Sequence, residues 1–266
     1  MYIIRTTVTV TILIIGLTWS GLSRAHDFYV EPSALQVKPK GSIELSVVQV
    51  NDDQSETLPF YNGFSARLDL TSPGGVAAIN AEVGDDPIAT IRPATPGYHI
   101  VTFVTQPRTA ELSTEKFKMY AQGKGLEAAI KNVALRPDKV PETYTRHAKV
   151  ILTVGGNPTG MDYLKPTGLT LELIPGKELP TWKANSPITL NLLYKGKPLS
   201  KALVQLFSPG RWKNRIKATT DSNGKIVVQV PHDGMWVAGA VHLIPSSDGK
   251  HDWQSFWASL TFAVNK

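Results

Sequence analysis

The feature that most constrains the fold is a regular series of short strand-like segments in the last hundred residues. Seven segments rich in β-branched and aromatic residues follow one another, each bounded by Gly, Pro, Asn or Asp. The turns at 195–198 (Lys-Gly-Lys-Pro) and 221–224 (Asp-Ser-Asn-Gly) are typical of hairpins. The pattern predicts an immunoglobulin-like or transthyretin-like sandwich over 166–266. Its strands are expected at 169–173, 188–194, 202–207, 216–219, 225–230, 235–243 and 256–264.

The preceding region also shows strand patterns, so the predicted fold class is mainly β, with two β-sandwich domains. The first domain covers 26–157 and includes a short helical insertion at 116–132, which Gly123 and Gly125 divide into two turns of helix. Residues 51–56 are expected to form an acidic loop. The Gly-Gly-Asn-Pro-Thr-Gly stretch at 155–160 is the predicted linker. Strands of this domain are expected at 28–30, 42–50, 66–71, 88–92, 98–105 and 144–154.

Residue alternation predicts which faces of the last two strands are buried in the second sandwich. In the final strand the core face is predicted to carry the even positions from Phe256 to Val264. In the strand before it, Met235, Val237, Val241 and Leu243 are assigned to the core, and Val227 is assigned to it from a third strand. Four residues are then left on the opposite face, which the first domain is expected to cover: Trp236, Ala238, Ala240 and His242.

The first 25 residues have the pattern of a secretion signal. Arg5 supplies a positive charge, residues 8–19 are largely apolar, and Ser23 and Ala25 are the small residues that precede a cleavage site. We therefore expect a signal peptide over 1–25 and a mature chain that begins at His26. No later segment approaches the roughly 20 apolar residues of a membrane-spanning helix, so the mature protein is expected to be soluble and outside the cytoplasm.

Composition restricts the chemistry of any site. The chain has no cysteine, which excludes disulfides, thiolate metal sites and cysteine nucleophiles. The net charge is +6, with no run of basic residues, and this argues against nucleic acid as a partner. No nucleophile elbow, His-Glu-x-x-His helix or dinucleotide-binding glycine pattern is found. A metal would therefore be held by nitrogen and oxygen donors alone.

His26 is the principal candidate metal ligand because cleavage would add a second donor to its imidazole. A free α-amine has a pKa near 8 and, together with Nδ1, can close a chelate ring on a metal ion. The predicted strand faces bring His26 towards His242, the expected second ligand. His251 and His99 are further candidate ligands, whereas His147 and His232 are assigned structural positions.

Several segments together resemble the domain-of-unknown-function family 4198. They are His-Asp-Phe-Tyr-Val-Glu-Pro at 26–32, Tyr-Thr-Arg-His-Ala-Lys at 144–149, Leu-Glu-Leu-Ile-Pro at 171–175, Gly-Lys-Pro-Leu at 196–199, Thr-Asp-Ser-Asn-Gly at 220–224, Gly-Met-Trp at 234–236 and the Trp-rich stretch at 253–262. Tyr29 stands where a tryptophan is usual in the family. The resemblance implies a periplasmic protein grouped with cobalt and nickel uptake systems.

Three functional hypotheses follow. The first is a periplasmic Ni²⁺ or Co²⁺ protein, with Cu²⁺ also possible, that delivers the ion to, or senses it for, an ABC-type or energy-coupling transporter. The second is a copper enzyme of the histidine-brace kind, in which His26 and another histidine leave a position open for oxygen. The third is an envelope interaction module that binds no metal and catalyses no reaction.

Overall fold

A computed structural model describes residues 27–51, 54–156, 158, 160, 162–176, 179 and 182–266. The predicted signal peptide and His26 lie outside these residues. Within the described part of the chain, no helix is long and apolar enough to cross a membrane. The fold is mainly β, as predicted.

The elements, in chain order, are short strands with one helical region. The amino-terminal half contains β1 (Asp27–Pro32), β2 (Gln36–Val37), β3 (Ile43–Asn51), β4 (Gln54–Leu58), β5 (Ser65–Ser72), β6 (Gly75–Ala78), β7 (Ala89–Ile91), β8 (Gly97–Thr105), β9 (Arg108–Ser113), α1 (Thr114–Gly123), α2 (Glu127–Ile130) and β10 (Lys139–Val154). After a 3₁₀ turn at Asp162–Leu164 come β11 (Leu171–Pro175), β12 (Pro187–Tyr194), β13 (Lys197–Pro198), β14 (Leu203–Phe207), β15 (Ile216–Thr219), β16 (Lys225–Gln229), β17 (Gly234–Pro245) and β18 (Trp253–Val264).

A ten-stranded central sheet runs through both predicted domains. Its order is β15-β14-β17-β18-β10-β8-β5-β6, and β2 and β9 also pair with β10. The long strand β10 pairs in parallel with β18, from Glu142 opposite Trp253 to Val150 opposite Thr261. The last strands of the two predicted domains are therefore hydrogen-bonded neighbours. The division of the chain into two domains stays a prediction.

One face of the central sheet, here the amino-terminal face, is covered by a four-stranded sheet and by α1. The amino-terminal sheet has the order β1-β3-β4, with β7 also paired to β3. Alternate residues of β3 point into the core between the sheets, which is why Ile43, Leu45 and Val47 are fully buried. They pack against β8 and β10 of the central sheet, through Val101, Phe103, Ala148, Val150 and Leu152.

The opposite face, here the carboxy-terminal face, is covered by the sheet of β11, β12, β13 and β16. The first, second and fifth strands of the carboxy-terminal sandwich lie together in this sheet, and the third, fourth, sixth and seventh lie in the central sheet. This division is immunoglobulin-like. The core between the two sheets includes Leu171, Leu190, Val204, Ile226, Leu260 and Phe262.

The helical insertion is confirmed as two short helices. Ser113 caps α1, since its hydroxyl accepts a hydrogen bond from the backbone N–H of Lys116 at 3.3 Å. Gly125 follows α1 with φ of +69°, where a β-carbon would lie 2.7 Å from that of Leu203. The buried side of α1 packs on the amino-terminal face through Phe117, Tyr120 and Ala121, against Val241, Leu243 and Trp253.

The predicted facing of β18 is confirmed, but that of β17 is wrong. Trp236 lies opposite Phe262, Ala238 opposite Leu260 and Ala240 opposite Ala258, so these alanines and Trp236 share the carboxy-terminal core. Val237, Val241 and Leu243 instead face the amino-terminal side. Both faces of β17 are covered, and alternation of apolar residues therefore could not identify the core side.

Two further expectations are corrected. Val227 was assigned to the core, but its side chain is 55% exposed because Ile226 and Val228 occupy the buried side of β16. The segment at 51–56 was expected to be a loop. Instead Asn51 ends β3 and residues from Gln54 onward form β4, with Gln49 opposite Glu56. The acidic stretch is therefore largely the end of a β-hairpin.

Candidate functional site

A strip of the amino-terminal face lies between α1 and the amino-terminal sheet. Alternate residues of β10 mark its position: Glu142 lies beneath α1, and Ala148 lies beneath the amino-terminal sheet. Tyr144 and Arg146 lie between them and are partly exposed. We call this strip the interlayer groove. β1 begins at its edge, since the Phe28 ring lies against Arg146 and the first described residue, Asp27, is paired with Lys124 at the end of α1.

The Asp27 carboxylate is fixed by two cations. Its Oδ1 is 2.7 Å from Lys124 Nζ, and its Oδ2 is 2.6 Å from Arg215 Nη2. All three side chains are largely buried, with exposures of 16%, 10% and 19%. Burial favours the neutral carboxyl, but Lys124 and Arg215 outweigh it and hold the pKa of Asp27 below its ordinary value. The start of β1 is thereby anchored to α1 and to the segment before β15.

Arg146 lies among aromatic rings in the interlayer groove. Its guanidinium carbon is 4.9 Å from the ring centre of Phe28, 5.2 Å from that of Tyr144 and 5.9 Å from that of Trp257. Its Nη1 donates a hydrogen bond to Gln49 Oε1 at 3.1 Å. Its Nε is buried and has no hydrogen-bond partner in the described chain. The guanidinium group of Arg146 is therefore held by cation–π contacts with three rings and by one hydrogen bond to an amide.

A buried carboxyl group lies beside the groove under α1. Ser255 Oγ and Tyr120 OH donate hydrogen bonds to Glu142 Oε1, the second at 3.3 Å. Trp257 Nε1 donates to the Ser255 hydroxyl at 3.0 Å. Burial raises the pKa of Glu142 to about 7, although the hydrogen bonds from Ser255 and Tyr120 oppose this shift. A group with this pKa changes charge near neutral pH.

The predicted approach of His26 to His242 depends on the predicted facing of β17, which is the opposite of the facing in the structure. His242 lies on the carboxy-terminal face, where its ring centre is 4.4 Å from that of Tyr194. Asp27, which follows His26 in the chain, lies on the amino-terminal face. The central sheet therefore separates Asp27 from His242. Burial lowers the pKa of His242, which favours its neutral form.

The other candidate histidines are far apart in the fold. His251 Nδ1 is 2.6 Å from Asp248 Oδ2, in a pocket of about 430 Å³ at the β17–β18 connection. His99 is 2% exposed, and its Nε2 bonds to the carbonyl oxygen of Thr95 at 2.8 Å. His147 is also buried, with Nδ1 bonded to the Trp257 carbonyl. Among the described residues, no group of three or more His, Asp or Glu is placed to hold a metal ion.

A buried ion pair on the carboxy-terminal face was missed by the sequence analysis. Lys149 Nζ is 2.6 Å from Glu172 Oε1, and both side chains are 1% exposed. Glu172 also accepts hydrogen bonds from three backbone N–H groups and from the Thr167 hydroxyl. The available signal was a lysine and a glutamate inside apolar strands. Arg146 is likewise a charged residue inside a predicted strand, in the segment at 144–149.

Comparison with known proteins identifies one family. The profile of a domain of unknown function (DUF4198) matches residues 23–244. No curated protein matches the sequence.

Two of the solved structures that match are only weakly similar to this chain. The D0-D1 domain of intimin is 16% identical, with 89% of this chain and 97% of that chain covered, at a TM-score of 0.20. Dimeric latent PorU from Porphyromonas gingivalis is 10% identical, with 95% of this chain and 21% of that chain covered, at 0.21. Similarities at these TM-scores carry no argument about fold or function.

Proposed function

Since the chain belongs to the DUF4198 family of domains of unknown function, we propose that it is an exported protein that binds Ni²⁺ or Co²⁺ through a processed amino terminus. Cleavage after Ala25 would make His26 the first residue. Its α-amine and imidazole would then form a two-nitrogen chelate. The ion is cargo in this proposal, and the periplasm is the compartment.

The anchoring of Asp27 is the observation that supports the proposal. Asp27 would be the second residue of the processed chain, and it lies at the edge of the interlayer groove. The two ion pairs of Asp27 hold that edge in place. An amino terminus created there would be presented at a defined position instead of at the end of a free tail.

The charges around Asp27 determine which donors can hold the ion. Lys124 and Arg215 already occupy its carboxylate, and Arg146 adds a third positive charge nearby. These four side chains together carry a net positive charge, which repels a divalent cation, so the affinity for the ion must come from neutral nitrogens. Nitrogen ligands favour later ions of the first transition row, which predicts Co²⁺ weaker than Ni²⁺ and Ni²⁺ weaker than Cu²⁺.

The proposal is tested by moving the α-amine. Calorimetric titration with Ni²⁺, Co²⁺ and Cu²⁺ compares the protein beginning at His26 with one that carries an extra alanine before it. We expect the extension to weaken Ni²⁺ binding at least about tenfold, or 1.4 kcal/mol, because the histidine is kept and the terminal chelate is lost. Equal affinity of the two proteins would contradict the proposal, as would a secreted protein that starts at another residue.

His242→Ala is the matched control for this experiment. It removes an imidazole from the carboxy-terminal face, and we expect Ni²⁺ affinity to be unchanged. Affinity should also fall as the pH drops through about 8 to 6.5, since the amine and imidazole must lose their protons to bind. Peroxide-driven turnover by the Cu²⁺-loaded protein would instead favour a copper enzyme, and failure of the mature protein to bind metal would favour an interaction module. An inner-membrane transporter is the proposed recipient of the ion.

A further inference from the structure

A second feature of the amino-terminal face is a patch of two arginines and two tyrosines. Arg108 of β9 lies directly opposite Tyr144 of β10, and Arg146 is two residues further along the same strand. All three therefore project from one face of the sheet. Tyr61 completes the patch, since its ring centre is 4.8 Å from the guanidinium carbon of Arg108. We call these four residues the Arg-Tyr patch.

The positive charges of the patch lack a neutralising carboxylate. Within the described chain, no carboxylate forms an ion pair or hydrogen bond with Arg108 or Arg146. Arg108 Nη2 donates to the Gly63 carbonyl oxygen at 3.1 Å, and Arg146 Nη1 donates to Gln49 Oε1. Gln49 links Arg146 to one acid, since its amide nitrogen donates to Glu56 Oε1 at 3.2 Å. Asp27 and Glu142 are near enough to act on Arg146 electrostatically, but neither is bonded to it.

Both arginines also have hydrogen-bonding capacity left over. The Nε of Arg108 and that of Arg146 are buried without a partner among the described residues. Buried donors are satisfied in the great majority of native proteins, so two in one patch point to a missing partner. Tyr61 is 37% exposed, and the other three side chains are partly exposed. The patch is therefore open to a ligand from solvent.

We propose that the Arg-Tyr patch binds a small molecule that carries carboxylate or phosphate groups. Guanidinium groups pair with these oxyanions through two parallel hydrogen bonds, which an ammonium group cannot reproduce. Arginine and tyrosine are also the residue types that contribute most to binding at protein surfaces. The site is made entirely of described residues and does not require His26 or a metal ion.

The test is calorimetric titration of the metal-free mature protein with citrate, inorganic phosphate and, as an uncharged comparison, glucose. We expect citrate or phosphate to bind, glucose not to bind, and affinity to fall as salt concentration rises. Tighter binding of citrate would identify carboxylates as the preferred group, and tighter binding of phosphate would identify phosphoryl groups. Absence of binding by both anions would overturn the proposal.

Variants locate the site. Arg108→Gln/Arg146→Gln should weaken anion binding at least about tenfold, whereas Arg92→Gln/Arg136→Gln, with the same change in charge at two exposed positions, should leave it unchanged. Arg108→Lys keeps the charge and should still weaken binding, because the paired hydrogen bonds are lost. Melting temperatures verify that each variant is folded. Undiminished binding by the folded Arg108→Lys and Arg108→Gln/Arg146→Gln proteins would place the anion elsewhere.

Discussion

The two faces of the central sheet both bury positive side chains, but they satisfy them differently. On the carboxy-terminal face, Lys149 is paired with Glu172, whose oxygens accept four further hydrogen bonds. On the amino-terminal face, Arg146 has one amide acceptor and three aromatic rings, and its Nε has no hydrogen-bond partner among the described residues.

This difference separates a structural contact from a candidate binding site. The Lys149–Glu172 pair joins β10 to β11, and both side chains are 1% exposed, so no ligand reaches it from solvent and its role is to hold the carboxy-terminal sheet against the central sheet. Arg146 has fewer side-chain hydrogen bonds and is partly exposed to solvent. Complete satisfaction indicates a structural role, and incomplete satisfaction of a partly exposed cation indicates a place where something else binds.

The largest expected effect is on the carboxy-terminal face. Lys149→Met should lower the free energy of unfolding by about 3–5 kcal/mol, because it leaves the Glu172 carboxylate buried without its counterion. Urea denaturation followed by circular dichroism measures the change. Lys149→Met/Glu172→Gln should be more stable than the single variant, since the uncompensated charge is gone. Equal stability of the two would assign the loss to packing instead of charge.

The next effect concerns Glu142 and depends on pH. Its folded-state pKa of about 7 lies above the ordinary value of 4.5, so between these values the folded protein keeps a proton that the unfolded chain releases. The free energy of unfolding should therefore fall as pH rises from about 4.5 to about 7, by up to about 3 kcal/mol.

Glu142→Gln should remove this part of the pH dependence. Denaturation of both proteins at several pH values between 4 and 8 measures the difference, in which contributions from other groups cancel. The two curves should diverge over the stated range and run parallel above it. Parallel curves throughout would show that Glu142 titrates normally.

A smaller effect is expected at the edge of the interlayer groove. Asp27→Asn should cost about 1–3 kcal/mol at pH 7, because Lys124 and Arg215 lose a charged acceptor in a largely buried position. The pKa of Asp27 is lowered, so its contribution is present above the ordinary value of 3.8 and is lost as pH falls below it. Denaturation at pH 7 and pH 3 measures both quantities. A cost that is the same at both pH values would contradict the ionic explanation.

The smallest effect tests whether burial explains this ranking. Lys139 and Glu111 form an ion pair at 3.2 Å between β10 and β9, with side chains 69% and 62% exposed. Lys139→Ala should change the free energy of unfolding by less than about 0.5 kcal/mol, because water and salt screen the pair. A loss comparable to that of Lys149→Met would show that burial is not the deciding factor.

Strand positions in the carboxy-terminal half were predictable because each strand lies between turn-forming residues. The short helices were equally predictable from the glycines at 123 and 125. Strand facing was a different matter: β18 was assigned correctly, but β17 was not. Trp236 and Val237 are both buried, on opposite faces, so the apolar pattern of β17 fits either arrangement.

The candidate site was less predictable than the fold. Asp27 adjoins His26 in sequence, but its partners Lys124 and Arg215 are distant along the chain and meet it only through tertiary packing. The Arg-Tyr patch combines a loop with two strands, and no local pattern links Tyr61 to Arg108. Such groups depend on strand pairing and on which face each strand presents.

The mainly β fold class, the places of most strands and the family were predictable from the amino-acid sequence, since these depend on local alternation, turn residues and ordered motifs. Tertiary structure was needed to show that β10 and β18 join in one central sheet and that His242 and Asp27 lie on opposite faces of it. It was also needed to show that Lys149 pairs with a carboxylate, whereas Arg146 pairs with none among the described residues. The physical reason is that burial on both faces of a strand removes the contrast from which facing is predicted, and ion pairing depends on residues that only folding brings together.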